Sequence, residues 1–454
     1  MHLHVLGIGG TFMSALALLA REAGFQVTGS DANCYPPVST LLAAKGIVWT
    51  EGYVDAVDAL RADCVVVGNA VSRGMPVMEA VLNAGKPYIS GPQWLAENIL
   101  SRYQVIAVAG THGKTTVTSM LAFILDQADL KPGFLIGGVA TNFETSARLG
   151  EGAWFVIEAD EYDSAFFDKR PKFMHYRPEC AIINNLEFDH ADIYADLAAI
   201  QQQMHYFLKT IPSKGQVLYP RDDVALNEVM AKGAFSHTST MACSGRAVWR
   251  AELLDASGAH FQVFYHDELV ADIKWGLMGQ FNIENALAAL AASAHAGVRP
   301  DVAARAIEKF SPVKRRLEVR MDAYGMKLYD DFAHHPTAME KTVAAIKLGD
   351  THARVLAIVE FASYSMRTGV HGTRPIEALG AADRVYVLNR EAERSEDQLN
   401  TYPKTWHVYA SVDALVEAVG AEAKTGDALL VMSNRSLEAV HQGVQAYLDK
   451  RFCR

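Results

Sequence analysis

Val105-Ile106-Ala107-Val108-Ala109 runs directly into Gly110-Thr111-His112-Gly113-Lys114-Thr115-Thr116. The five apolar residues are too few for a helix and read as a buried strand. Val117–Asp126 beyond the loop carries a helical pattern. A strand, a glycine loop and a helix in that order make a phosphate site. The glycines let backbone N–H groups close around phosphate oxygens, and the helix N-terminus adds a positive dipole end. Lys114 can then reach β- and γ-phosphates, and the Thr115 hydroxyl can sit on Mg²⁺. The general pattern for such loops wants glycine where Val108 stands, so this is a shorter form. It points to a nucleoside triphosphate and leaves the reaction open.

Outward from this loop, the same alternation continues. Val5–Ile8, Gln26–Thr28, Cys64–Val67, Phe155–Ile157 and Ala181–Ile183 read as buried parallel strands, and Phe12–Glu22 and Val77–Asn83 as crossover helices. The fold class is therefore α/β, doubly wound. Three units separate: residues 1–100, 101–312 and 313–454. The second contains alternating segments over 247–275 that suggest an antiparallel subsheet. The third holds Lys327–Tyr329, Val355–Val359, Val385–Leu388 and Ala428–Met432 as strands of another open sheet. A length of 454 residues accommodates three such domains. A net charge of -10 disfavours a nucleic-acid binder. The five cysteines, Cys34, Cys64, Cys180, Cys243 and Cys453, form no CxxC pair, which argues against a disulfide framework or a zinc ribbon. No apolar run is long enough to span a membrane and no signal-peptide pattern precedes the first strand, so a cytoplasmic location is expected.

The loop form GTxGKTT resembles that of the Mur ligases and folylpolyglutamate synthases. The resemblance to the Mur ligases extends over essentially the whole chain. It implies a three-domain architecture: a Rossmann-like UDP-binding domain, a central P-loop ATPase domain and a C-terminal dinucleotide-fold domain. Within it, Gly110, Thr111, His112, Gly113, Lys114, Thr115 and Thr116 bind ATP. The strand Trp154–Ile157 ends in Glu158-Ala159-Asp160-Glu161-Tyr162-Asp163, four carboxylates that want a cation. The resemblance makes Glu158 a metal ligand beside Thr115. Asn184-Asn185-Leu186-Glu187-Phe188-Asp189-His190 is similar to the family segment ending in Asp-His, which makes His190 a further metal ligand. Many members carry a carbamoylated lysine about fifteen residues later; here that register holds His205, with Lys209 offset. Asn282 and Asn285, before the helix Ala286–His295, match the adenine-contacting segment, and Asn282 would serve equally as a helix N-cap. From the last domain, Arg316 of Lys314-Arg315-Arg316 would reach the γ-phosphate and Asp331 would hold the ribose. An arginine delivered across a domain boundary makes catalysis depend on closure.

Gly7-Ile8-Gly9-Gly10-Thr11 follows the first strand, but the third glycine of a dinucleotide fingerprint would fall at Phe12, so an NAD site fails. The loop resembles the Gly-x-Gly-Gly loop that receives the UDP pyrophosphate in the alanine-adding branch. Gly7, Gly9, Gly10 and Thr11 would bind the UDP-sugar, and Asp31 would meet its ribose or uracil. Gly-Pro-Gln-Trp at 91–94 and Phe-Phe-Asp-Lys-Arg at 166–170 point to the branch that recycles cell-wall tripeptide. The resemblance thus implies an ATP- and Mg²⁺-dependent ligase with Lys114, Glu158, His190 and Arg316 as catalytic residues. It would join UDP-N-acetylmuramate to L-Ala-γ-D-Glu-meso-diaminopimelate, as a monomer or weak homodimer, with no nucleic acid and no membrane. L-Alanine is the alternative acceptor. A small-molecule kinase would not need the first domain, and a non-catalytic sensor would not keep Lys114, Thr115, Glu158 and His190. His205, His334 and His335 are candidate bases for the attacking amine. Lys169, Arg170, Lys172, Arg367 and Arg374 are candidates for a locally basic cleft.

Overall fold

The computed structural model describes residues 1–349, 354–390, 399 and 401–452; Cys453 lies outside them. Three separate main sheets organise the chain. The first is parallel and five-stranded, in the order Val48–Glu51, Gln26–Asp31, His2–Leu6, Cys64–Val67, Tyr88–Ser90. Its central strand ends at Leu6, earlier than the run to Ile8 suggested, because Gly7 turns the chain with φ +84. The helix Thr11–Glu22 then packs eight consecutive buried residues, Met13–Ala20, into the first core.

The second sheet has ten strands. Its centre sets Gln104–Ala109 between Cys180–Ile183 and Trp154–Glu158, all parallel. The phosphate loop therefore opens at the C-terminal ends of adjacent strands, where ligands bind in open α/β sheets. Trp249–Leu253, His260–Tyr265 and Glu268–Lys274 form the expected antiparallel extension. At the opposite side, Gly133–Ala140 pairs with Thr145–Arg148, two strands that carry no strong apolar run. The helices Lys114–Gln127 and Gln280–His295 pack on each other beneath the site and bury nearly every side chain of their middle turns.

The third sheet has six strands, ordered Glu318–Ala323, Met326–Asp331, Asp427–Met432, Arg354–Val359, Arg384–Leu388, Trp406–Tyr409. It is parallel except for the first hairpin. Separate cores cover its two faces.

Candidate active site between three sheets

One cleft of about 1150 Å³ runs from the glycine loop of the first sheet, past the phosphate loop, to the end of Met326–Asp331 in the third. Gly113 starts the phosphate-loop helix with φ +81, and a Cβ there would lie 2.4 Å from both Asn184 Nδ2 and Asn285 Oδ1. Those amides explain the close fit. Asn184 Nδ2 donates to Asn285 Oδ1 (2.9 Å) and to the His112 carbonyl, while Asn185 Oδ1 accepts the His112 N–H (2.8 Å). Asn285 thus shapes the loop as well as lining the cleft. Asn282 also lines it, but it is not the N-cap: the cap is Gly279, the helix starts at Gln280, and Asn282 donates to the Met278 carbonyl.

Lys114 is largely but not fully buried, and its Nζ sits 2.7 Å from Glu161 and 3.6 Å from Asp160. Burial alone would lower its pKa, but those two carboxylates raise it instead, so the ammonium stays charged. Glu158 occupies a different pocket. Its Oε1 accepts the Gly137 N–H at 2.7 Å, and a Cβ on Gly137 would stand 2.5 Å from its other oxygen. Burial raises the Glu158 pKa despite hydrogen bonds from Gly137 and Thr115 and the charges of Lys114 and Arg316. The local cations therefore undercompensate it. Thr115 and Glu158 together offer hard oxygen donors, which fit a small divalent cation.

His190 does not join Glu158 in a shared ligand set. Its Nε2 is 3.1 Å from Glu161 Oε1, and Asp160, Glu161 and His190 bring their ligand atoms within 4.8 Å of one another. Burial lowers the pKa of His190, but Glu161 and Asp189 outweigh this and raise it. His190 also takes φ +55, a left-handed backbone uncommon outside glycine and concentrated at functional sites. Asp160 and Glu161 were legible only as members of an acidic run. Lys172 completes the group: it is buried, 2.7 Å from Asp160, with Nζ above the Phe12 ring at 5.5 Å. Of the five basic candidates it is the one that lines the cleft. Lys169 and Arg170 instead pair at the surface with Asp163 and Asp168.

Arg316 arrives from the third unit and donates to Thr115 Oγ1 at 3.1 Å, with its guanidinium over Phe332. Its neighbours Arg315 and Leu317 both take positive φ, which turns the two arginines apart. Arg315 points into its own unit and donates to the Ser433 carbonyl. Asp331 lines the cleft, but its oxygens already accept the N–H groups of Leu317 (2.6 Å) and Ala333 (2.7 Å), so it also shapes the loop. Asp31 behaves alike, accepting from Gly9 N–H and Asn33 N–H at 2.8 and 2.9 Å. Among the three histidines considered as bases, His334 and His335 line the cleft. His205 is buried on the helix Leu197–Leu208 and is not among the lining residues.

Residues 2–103 match the Mur ligase family catalytic domain, 108–293 the Mur ligase middle domain and 315–435 the Mur ligase glutamate ligase domain. The chain is 47% identical to UDP-N-acetylmuramate–L-alanyl-γ-D-glutamyl-meso-2,6-diaminoheptandioate ligase of Escherichia coli, over 99% of each chain. A crystal structure of a murein peptide ligase from Psychrobacter arcticus shares 41% identity with a TM-score of 0.78, covering 99% of this chain and 98% of that one. A UDP-N-acetylmuramate–L-alanine ligase of Synechococcus is 32% identical over 99% of this chain and 96% of its own. With three consecutive domain matches and near-full-length likeness, the chain belongs to the Mur ligase family.

Proposed function

We propose that the protein joins the lactyl carboxylate of UDP-N-acetylmuramate to the amine of L-Ala-γ-D-Glu-meso-diaminopimelate, with cleavage of ATP to ADP and phosphate. The observation that carries this reading is the single cleft. It connects a glycine loop suited to a diphosphate, a phosphate loop suited to ATP, and an arginine from a third unit. The tripeptide acceptor follows from the near-full-length likeness to relatives named for it. We assign residues 1–100 to the sugar nucleotide, 101–312 to ATP and 313–454 to the incoming peptide. The reaction then belongs to peptidoglycan recycling in the cytoplasm. Among the described residues no helix is long and apolar enough to cross a membrane.

A free carboxylate is a poor acylating agent, so it must first be activated. A lactyl oxygen attacks the γ-phosphorus, the bond to the β–γ bridging oxygen breaks, and ADP leaves with that electron pair. Lys114 and Arg316 neutralise charge that builds on the transferring group. Mg²⁺ would supply further charge neutralisation when bound, with Thr115 and Glu158 as proposed ligands at one position and His190 at a second. The loops Gly7–Thr11 and Gly110–Thr116 orient the two phosphate-bearing substrates through backbone N–H groups. The peptide amine then attacks the acyl carbon and phosphate departs. Closure of the third unit on the phosphate loop excludes water that would hydrolyse the acyl phosphate.

The test is phosphate release from ATP with UDP-N-acetylmuramate, comparing the tripeptide with L-alanine. Release with tripeptide alone is expected. Release with L-alanine alone would move the protein to the de novo alanine-adding step.

A further inference from the structure

A second constellation includes His112 of the phosphate loop, and its side chains take no step in the mechanism above. Glu187 Oε2 is 3.2 Å from His112 Nε2 and 3.3 Å from His335 Nδ1. The three ligand atoms all fall within 4.8 Å of one another. A tetrahedral ion with bonds of about 2.0–2.1 Å spaces its ligands by roughly 3.3 Å, so both separations, the first of which also suits a hydrogen bond, are compatible with a tetrahedral edge. Two imidazoles and a carboxylate select zinc-like transition ions over Mg²⁺, which prefers oxygen.

The surroundings preorganise this set. Thr337 Oγ1 donates to Glu187 Oε2 at 2.8 Å, and the Glu187 backbone is tied to Thr111 through both its N–H and its carbonyl. Such outer contacts hold metal ligands in place. The His371 ring packs edge-on against His335, with centroids 4.7 Å apart.

His335 Nδ1 is also approached by the Thr337 N–H at 3.3 Å. An unprotonated Nδ1 accepts from Thr337 but presents its lone pair to Glu187. A protonated Nδ1 serves Glu187 but repels the Thr337 donor. Neither tautomer satisfies both neighbours; a cation between Nδ1 and Oε2 removes the repulsion between them and takes the lone pair from the Thr337 N–H.

We propose that His112, Glu187 and His335 form a transition-metal site of the zinc class, distinct from the Thr115–Glu158 site. Two ligands come from the central unit and one from the third, so an ion bound here ties the phosphate loop to the closing unit. Its fourth position is open to the cleft, which His112 and His335 line.

Co²⁺ titrated into the full-length protein under saturating Mg²⁺ is the probe. The expected result is the intense visible absorption of tetrahedral Co²⁺, abolished by stoichiometric Zn²⁺. Glu187→Gln preserves shape and the Thr337 contact while removing the ligand charge, and is expected to weaken Co²⁺ binding at least tenfold. His335→Asn should do the same, with near-ultraviolet circular dichroism matching the parent in both. His190→Asn should leave the band intact. Absence of the band in the parent, its survival in Glu187→Gln, or its loss in His190→Asn would each overturn the proposal. The phosphate-release assay is independent of this readout, so the ligase reading and the metal site can fail separately.

Discussion

Lys114 shows how this site stores its charge before substrate arrives. Its ammonium pairs with Glu161 and Asp160, so a carboxylate pair occupies the lysine before any phosphate does. Lys114→Ala leaves Glu161 without its lysine and Asp160 with Lys172 alone, and removes a donor to the transferring group. Phosphate release is expected to fall by about 10²–10³ or more, and near-normal turnover would remove Lys114 from the mechanism. Gly137 presents the reverse situation, since it matters by what it lacks. A Cβ would stand 2.5 Å from Glu158 Oε2, so Gly137→Ala must displace the carboxylate. An apparent Mg²⁺ affinity about tenfold weaker is expected, roughly 1.4 kcal/mol, measured as phosphate release against Mg²⁺ concentration. An unchanged Mg²⁺ profile would detach Glu158 from metal binding. Lys114 is readable from its motif, because its neighbours in sequence are its neighbours in space. Gly137 is not, because its reason to be glycine lies 21 residues away on another strand. The division of labour inside Glu158–Asp163 is hidden for the same reason. It depends on Lys114 and Lys172, which the sequence alone does not pair with particular carboxylates.

Among the elements, the first strand carries an unusual burden for a buried parallel strand. His4 is buried within it, with Nδ1 2.8 Å from Thr28 Oγ1 and Nε2 3.0 Å from Ser30 Oγ of the neighbouring strand. Burial lowers its pKa to about 4, against partial opposition from Asp58. The unfolded chain binds a proton near pH 6.5 while the folded chain does not. His4 therefore makes no pH-dependent demand above pH 6.5, and stability falls as the pH drops from 6.5 towards 4. The slope is about 1.4 kcal/mol per pH unit at most. His4→Gln should flatten this dependence relative to the parent, measured as urea midpoints at pH 7 and pH 5. Equal midpoint shifts in both proteins would show that His4 is not the responsible group. The strand itself is legible because Leu3, Val5 and Leu6 are apolar, whereas its end is decided by the turn at Gly7. Gly133–Ala140 escapes notice for want of side chains: three of its eight residues are glycine, and it is recognised as a strand only by its partners Trp154–Glu158 and Thr145–Arg148. The helix at Gln280 begins earlier than its apolar run, since Gly279 with φ +89 supplies the cap and Asn282 folds back onto Met278.

At the scale of the whole molecule, three sheets meet around a cleft that none of them forms alone. The central and third units meet through Met278, which packs against the third unit's core, and through several polar contacts. Arg316 reaches Thr115, Thr337 reaches Glu187, and Ser365 donates to the buried Asp189 at 3.0 Å. Such an interface suits units that separate and close, because each hydrogen bond contributes only about 0.5–1.5 kcal/mol net. Composition and motif order make the three units readable, but the sequence cannot pair Ser365 with Asp189 across 176 positions. Removing two of these bonds with Thr337→Val and Ser365→Ala together costs about 2 kcal/mol of closed-state preference. That corresponds to roughly a 30-fold shift towards open forms. Small-angle scattering should show a larger radius of gyration for the variant without ligands, restored by ATP with UDP-N-acetylmuramate. The KM for ATP should rise, because part of the binding energy then goes into closing the molecule. Unchanged dimensions together with an unchanged KM would mean that these bonds do not hold the units together, leaving Arg316 and the substrates themselves to draw the third unit onto the phosphate loop.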